Sequence, residues 1–172
     1  SIISYTPPGT GGIPRTVDLV LNKNLTVSEY GTTQAGVQNA LDAADSQGCI
    51  IYVEAGTYTF SSPATLKSGA VLIGVGDVIF QSTTPGSPCL TGDSLSRVLI
   101  HNIQFTGVSP TTVPTVSVGG FAASSSGLLT ITNSTDVEVT RCQFSSFYNG
   151  LSLLKCTRVF AQQNYITNWL LY

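Results

Sequence analysis

Hydrophobic residues return along this chain in short alternating groups, and three of those groups are copies of one another. Val98, Ile100, Ile103 and Phe105 reappear as Val137, Val139, Cys142 and Phe144 after 39 residues, and as Val159, Ala161, Asn164 and Ile166 after a further 22. Apolar and polar side chains alternate within each group, which is the period that puts residues on one face of a strand. Repetition at a period of roughly 20 to 50 residues marks units that bury their apolar face only by stacking on one another. The pattern therefore predicts an all-β chain, a right-handed parallel β-helix whose apolar positions stack in internal columns. The longer first step is read as an inserted loop, because residues 107–126 (GVSPTTVPTVSVGGFAASSS) contain two prolines and a Gly/Ser/Ala-rich run.

On this register Arg97, Asp136 and Arg158 fall at equivalent positions of three successive units. Opposite charges stacked in that way form a ladder on the outer face, each neighbouring pair contributing roughly 0.2–1 kcal/mol in cross-strand terms. Their expected role is to hold register.

One stretch follows a different period. Val37, Ala40, Leu41 and Ala44 stand at i, i+3, i+4 and i+7, with Thr32 or Thr33 before them and Gly48 just after. They predict an α-helix over about residues 34–47. After Gly48 the strand-sized runs CIIYV, GTYTF, AVLIGV and DVIF follow, each separated by turn residues. The helix is expected to cover the first end of the stack, where an open interior and unpaired backbone groups would otherwise invite aggregation. No second lid is visible toward NWLLY, so further chain or another subunit is expected to cover that end. Residues 1–16 (SIISYTPPGTGGIPRT) hold three prolines and three glycines and read as an arm. VDLVLNKNLTVSEYG is compatible with either an extended segment or a short helical turn.

Composition removes several classes of partner. Only 9% of residues are charged, the formal net charge is −2 and mean hydropathy is +0.25, so nothing marks a nucleic-acid surface. The longest apolar runs are far shorter than the roughly 20 residues that cross a bilayer, and no membrane insertion is expected. No signal peptide is read at the start. The sequons at Asn24 and Asn133 carry little in so Asn/Ser/Thr-rich a chain. Cys49, Cys89, Cys142 and Cys156 show no CxxC spacing, and the single histidine, His101, completes no metal site with them. Buried thiols are the expected reading, with a Cys142–Cys156 disulfide open only if adjacent turns bring them together. No cofactor and no metal are expected.

The N-terminal motifs look familiar. Arg15, Thr16, Val17, Leu21, Val27, Ser28, Tyr30 and Gly31 resemble the junction in many bacteriophage tailspikes and tail fibres, ahead of a pectate-lyase-like β-helix. VQNALDAA, IIYVEAGTYTF and ATLKSGAVLIGVG are similar to the first turn of that superfamily. The likeness covers residues 9 to about 80 by motif and the remainder by repeat alone. GTTQAG at Gly31–Gly36 lacks the acidic Gly-rich segment usual there, and Glu54 stands where a proline is common.

This resemblance implies a virion component of a phage tail acting in assembly and host-surface attachment. Residues 1–30 would be an arm binding tail or adaptor proteins, residues 31–172 the first part of the stacked body, and the assembly a parallel homotrimer that contacts host surface polysaccharide. One alternative is a polysaccharide depolymerase, a glycoside hydrolase or lyase with its active site outside this segment or between subunits. The other is a bacterial pectate-lyase-like protein.

Sugar cleavage needs an acid and a base on the outer wall. Retaining glycosidases hold two carboxylates roughly 5–5.5 Å apart and inverting ones roughly 6.5–9.5 Å. Asp136 and Glu138 form the one i, i+2 carboxylate pair on a predicted strand and are the only local catalytic candidates. Against them, Arg97 and Arg158 give Asp136 a structural reason for its charge. Asp42 and Asp45 belong to the helix, Asp77 and Asp93 to turns, and His101 is expected to face solvent without an acid or nucleophile beside it. Phe147, Tyr148, Trp169 and Tyr172 suit either sugar platforms or interface packing.

Overall fold

The computed structural model describes residues 4–5, 15–16, 24–47, 49–108, 127–145 and 150–167. The anchoring role expected of residues 1–30, the inserted loop over most of 107–126, and the aromatic side chains of Phe147, Tyr148, Trp169 and Tyr172 fall largely or wholly outside them.

A two-residue antiparallel pair, β1 (Ser4–Tyr5) with β2 (Arg15–Thr16), precedes the body. β3 (Asn24–Thr26) runs into a 3-10 turn over Val27–Glu29 and then α1 (Gln34–Gln47). The Thr33 carbonyl accepts the first helical bond from Val37 N at 3.1 Å. As the 3.6-residue period requires, Val37, Ala40, Leu41 and Ala44 are buried and pack α1 on the strands.

Two long strands follow, β4 (Ile50–Phe60) and β6 (Val71–Ser82), with β5 (Ala64–Thr65) between them. Then comes a threefold recurrence. β7 (Leu90–Asp93), β8 (Ser96–His101) and β9 (Gln104–Thr106) are followed by β10 (Leu129–Thr132), β11 (Thr135–Thr140) and β12 (Gln143–Ser145). The third set is β13 (Leu151–Leu154), β14 (Thr157–Gln162) and β15 (Tyr165–Ile166). All neighbours among these strands are parallel, and Val98, Val137 and Val159 are aligned partners, as are Phe105, Phe144 and Ile166.

The expected right-handed parallel β-helix is corrected by the sheet topology. The strands lie in an open nine-stranded sheet and an open four-stranded sheet, β13-β10-β7-β5, each with free edges. The physical reason lies in the two long strands. β6 pairs with β8 through Val71–Ile73 and with β9 through Ile79–Gln81, so one strand joins ladders that stay separate in the later repeats. The architecture of the described residues is mostly β, with parallel sheets and one α-helix. Periodicity predicted which residues are neighbours across strands, and register between neighbours does not define how a sheet closes.

Among the described residues, nine non-glycine residues adopt left-handed φ, and they too recur in register. Ser94, Asn133 and Lys155 have φ of 55°, 49° and 53°; Arg97, Asp136 and Arg158 have 56°, 56° and 52°; Asn102, Arg141 and Gln163 have 55°, 53° and 56°. Such residues are uncommon because Cβ crowds the backbone. Their alignment shows that each repeat bends at the same three points. Gly74 answers a different need, since a Cβ there would lie 2.0 Å from the Asn102 carbonyl oxygen.

The interior is aromatic and aliphatic. Phe60, Phe80, Phe105 and Phe144 run through it with centroid separations of 5.0, 5.6 and 5.0 Å, the last pair stacked at 9°. Cys89 and Cys142 are buried there, and desolvation pushes their thiols up to about 12 and about 11. Cys142 and Cys156 are both thiols, so the disulfide left open by the sequence does not form. Cys142 Sγ lies against the Thr140 carbonyl at 3.4 Å, whereas Cys156 Sγ lies 3.5 Å from that of Ile131.

Candidate functional site

The outer wall of β8, β11 and β14 carries the residues singled out for chemistry. Arg97, Asp136 and Arg158 sit at the left-handed kinks that open these strands, which turns their side chains away from the apolar columns. Asp136 accepts two hydrogen bonds from Arg158, Nε to Oδ1 at 2.5 Å and Nη2 to Oδ2 at 2.6 Å. The bond from Arg158, with the charges of Arg158 and Arg97, holds the Asp136 carboxyl below the usual aspartate range. It is therefore an ionised ladder element with both oxygens engaged, unsuited to protonating a leaving group at neutral pH. Glu138 stands between Leu99 and Phe160 in the cross-strand register, so its immediate neighbours on that row supply neither acid nor base.

Other carboxylates are committed elsewhere. Asp93 accepts from Asn133 Nδ2 at 2.7 Å, from Ser94 Oγ at 3.0 Å and from Thr132 Oγ1, contacts that lower its pKa. The sequence showed Asp93 only as a turn residue, yet Thr132 follows it by 39, the same step as the core repeat. Glu54 accepts from Ser28 Oγ at 2.7 Å and Ser28 N at 3.2 Å, tying the N-terminal junction to β4. Asp42 pairs with Lys67 at 3.3 Å. His101, expected to face solvent, is half-buried, with Nδ1 2.8 Å from Thr140 Oγ1. Among the described residues no group of three or more His, Cys, Asp or Glu is placed to hold a metal ion.

Two surface clefts are lined by described residues. One of about 430 Å3 lies between α1 and the turn that enters β6, with Lys67 and Arg97 among its lining residues. The other, about 420 Å3, is edged by Thr33, Gln34, Thr59, Ser61 and Thr83. Neither was foreseen, because each joins residues whose separations follow no repeat.

Comparison with known proteins locates the fold. No protein-family model matches the chain, and no significant match to a curated protein is found. Among solved structures, the chain is similar to a protein of Parabacteroides merdae described as a "putative glycosyl hydrolase". The TM-score is 0.63 at 14% identity, covering 84% of this chain and 77% of the other. The likeness is one of fold.

Proposed function

We propose that this polypeptide is a structural component of a phage tail, a tailspike or tail fibre, acting in assembly and host-surface attachment without cleaving bonds itself. The observation that carries this reading is the fate of the outer-wall carboxylates. Asp136 is tied to Arg158, Asp93 to Asn133 and Ser94, Glu54 to Ser28 and Asp42 to Lys67. These four carboxylates act as fasteners and Glu138 has no acid or base beside it in the cross-strand register, whereas a glycosidase needs two carboxylates free to exchange protons or attack. The likeness of Arg15, Thr16, Val27, Ser28, Tyr30 and Gly31 to the tailspike junction supports the virion role. The test is proteomic: the polypeptide is expected in purified phage particles, cross-linked to tail or adaptor proteins through residues 1–30. Particles that lack it would overturn the reading.

The fold likeness to a protein described as a glycosyl hydrolase favours a second reading, a polysaccharide depolymerase. Its catalytic groups would lie outside this segment or between subunits, a reading supported by Arg158 engaging both Asp136 oxygens. If depolymerase activity is found, Asp136→Ala and Glu138→Ala are expected to leave cleavage rates unchanged. A loss of several orders of magnitude in either would restore them as catalytic.

A further inference from the structure

We infer that the cleft between α1 and the turn entering β6 is a subsite for an acidic sugar unit. The inference rests on the host-surface reading above and gives it a ligand chemistry. The cleft encloses about 430 Å3, within the range of small-ligand sites. Leu41, Ile50 and Val71 line it together with Asp45, Lys67, Ser68 and Arg97.

Arg97 is the decisive residue. The register makes it a partner of Asp136, but Arg158 occupies both Asp136 oxygens. The Arg97 guanidinium is left with only a longer-range attraction to that carboxylate and, among the described residues, no side-chain hydrogen bond or ion pair. A planar guanidinium in that condition matches a carboxylate in paired hydrogen bonds. Lys67 is held by Asp42 at 3.3 Å and adds positive potential rather than a dedicated contact.

The other polar groups narrow the ligand further. Ser68 Oγ accepts from Ser96 N at 3.1 Å, which leaves its proton to donate to a ligand oxygen. Asp45 offers acceptors for hydroxyl groups. A bare anion such as phosphate would leave the apolar lining unused, and an aliphatic carboxylate would leave Asp45 and Ser68 unmatched. A ligand with one carboxylate, several hydroxyls and a C–H face satisfies all three surfaces at once, and an acidic sugar has that composition.

The experiment titrates D-glucuronate and D-glucose into the isotopically labelled full chain and follows NMR shifts. Glucuronate is expected to move the methyl signals of Leu41, Ile50 and Val71 and the Arg97 Nε signal. Glucose should bind about tenfold more weakly, the loss of one charge-assisted contact, and Arg97→Gln should bring glucuronate down to the same level. Arg97→Lys should recover only part of the preference, because a point charge lacks the fork. Added salt should weaken glucuronate alone. Equal responses to the two sugars, shifts confined to other residues, or full glucuronate binding by a folded Arg97→Gln variant would each overturn the inference. The two readings fail separately. Binding of host polysaccharide without shifts in this cleft removes the subsite and keeps attachment, whereas cleft shifts in a protein missing from phage particles keep the subsite and remove the virion role.

Discussion

Asp136 and Asn164 each occupy a repeat position whose meaning depends on the neighbour above or below. Because Asp136 has a folded pKa below its unfolded value, folding favours its ionised form. Its contribution is complete above the unfolded aspartate value of about 3.9 and vanishes as pH falls through the lower folded value. Asp136→Asn is therefore expected to lower the melting temperature at neutral pH, with the gap to the parent protein narrowing as pH falls below the unfolded aspartate value. Thermal melts across that range check it, and a pH-independent gap would show that the ladder charge is irrelevant. Asn164 aligns with Ile103 and Cys142, where an apolar residue was expected. Its amide instead donates to the Val139 carbonyl at 2.8 Å and accepts from Cys142 N at 2.9 Å. Asn164→Ala would strand both groups at a cost of about 1–3 kcal/mol by chemical denaturation, and a neutral result would mean that water replaces the amide.

Among the elements, the phenylalanine row and α1 contribute most visibly to cohesion. Phe105 lies 5.6 Å from Phe80 and 5.0 Å from Phe144, and is 1% exposed. Phe105→Ala opens a cavity between two strand layers and is expected to cost about 3–5 kcal/mol. An equilibrium denaturation shift below about 1 kcal/mol would imply that the layers collapse into the gap. The helix was legible because its small apolar residues recur at the helical period without competition. The strand repeats were legible where the chain makes short, equal units. β4 and β6 were not seen as continuous strands, because Gly56 and Gly76 look like turn signals in sequence. In the structure Gly74 lies within β6 where the Asn102 backbone approaches, and the ladder absorbs a register shift between Glu54 and Gly56.

For the whole molecule, the outward rows of the large sheet bear on assembly. Tyr52, Ile73 and His101 align on a row of the face opposite the buried columns. Parallel sheets whose strands read as near-continuous apolar runs are normally covered on both faces. This pattern accords with the homotrimer that the tailspike resemblance implies. Sedimentation or light scattering at micromolar concentration is expected to give three times the chain mass, and a stable monomer would contradict the proposed tail role.

By itself the sequence determined which residues pair across neighbouring strands, which face of α1 is buried and where the charge ladder runs, because these follow from periodicity in one chain. Tertiary structure decided how the sheets are joined, that Arg158 rather than Arg97 captures Asp136, and that Arg97 faces a cleft with Leu41 and Lys67. Those outcomes depend on competition between residues for the same partner and on contacts at separations that share no period, and neither leaves a mark in the linear pattern.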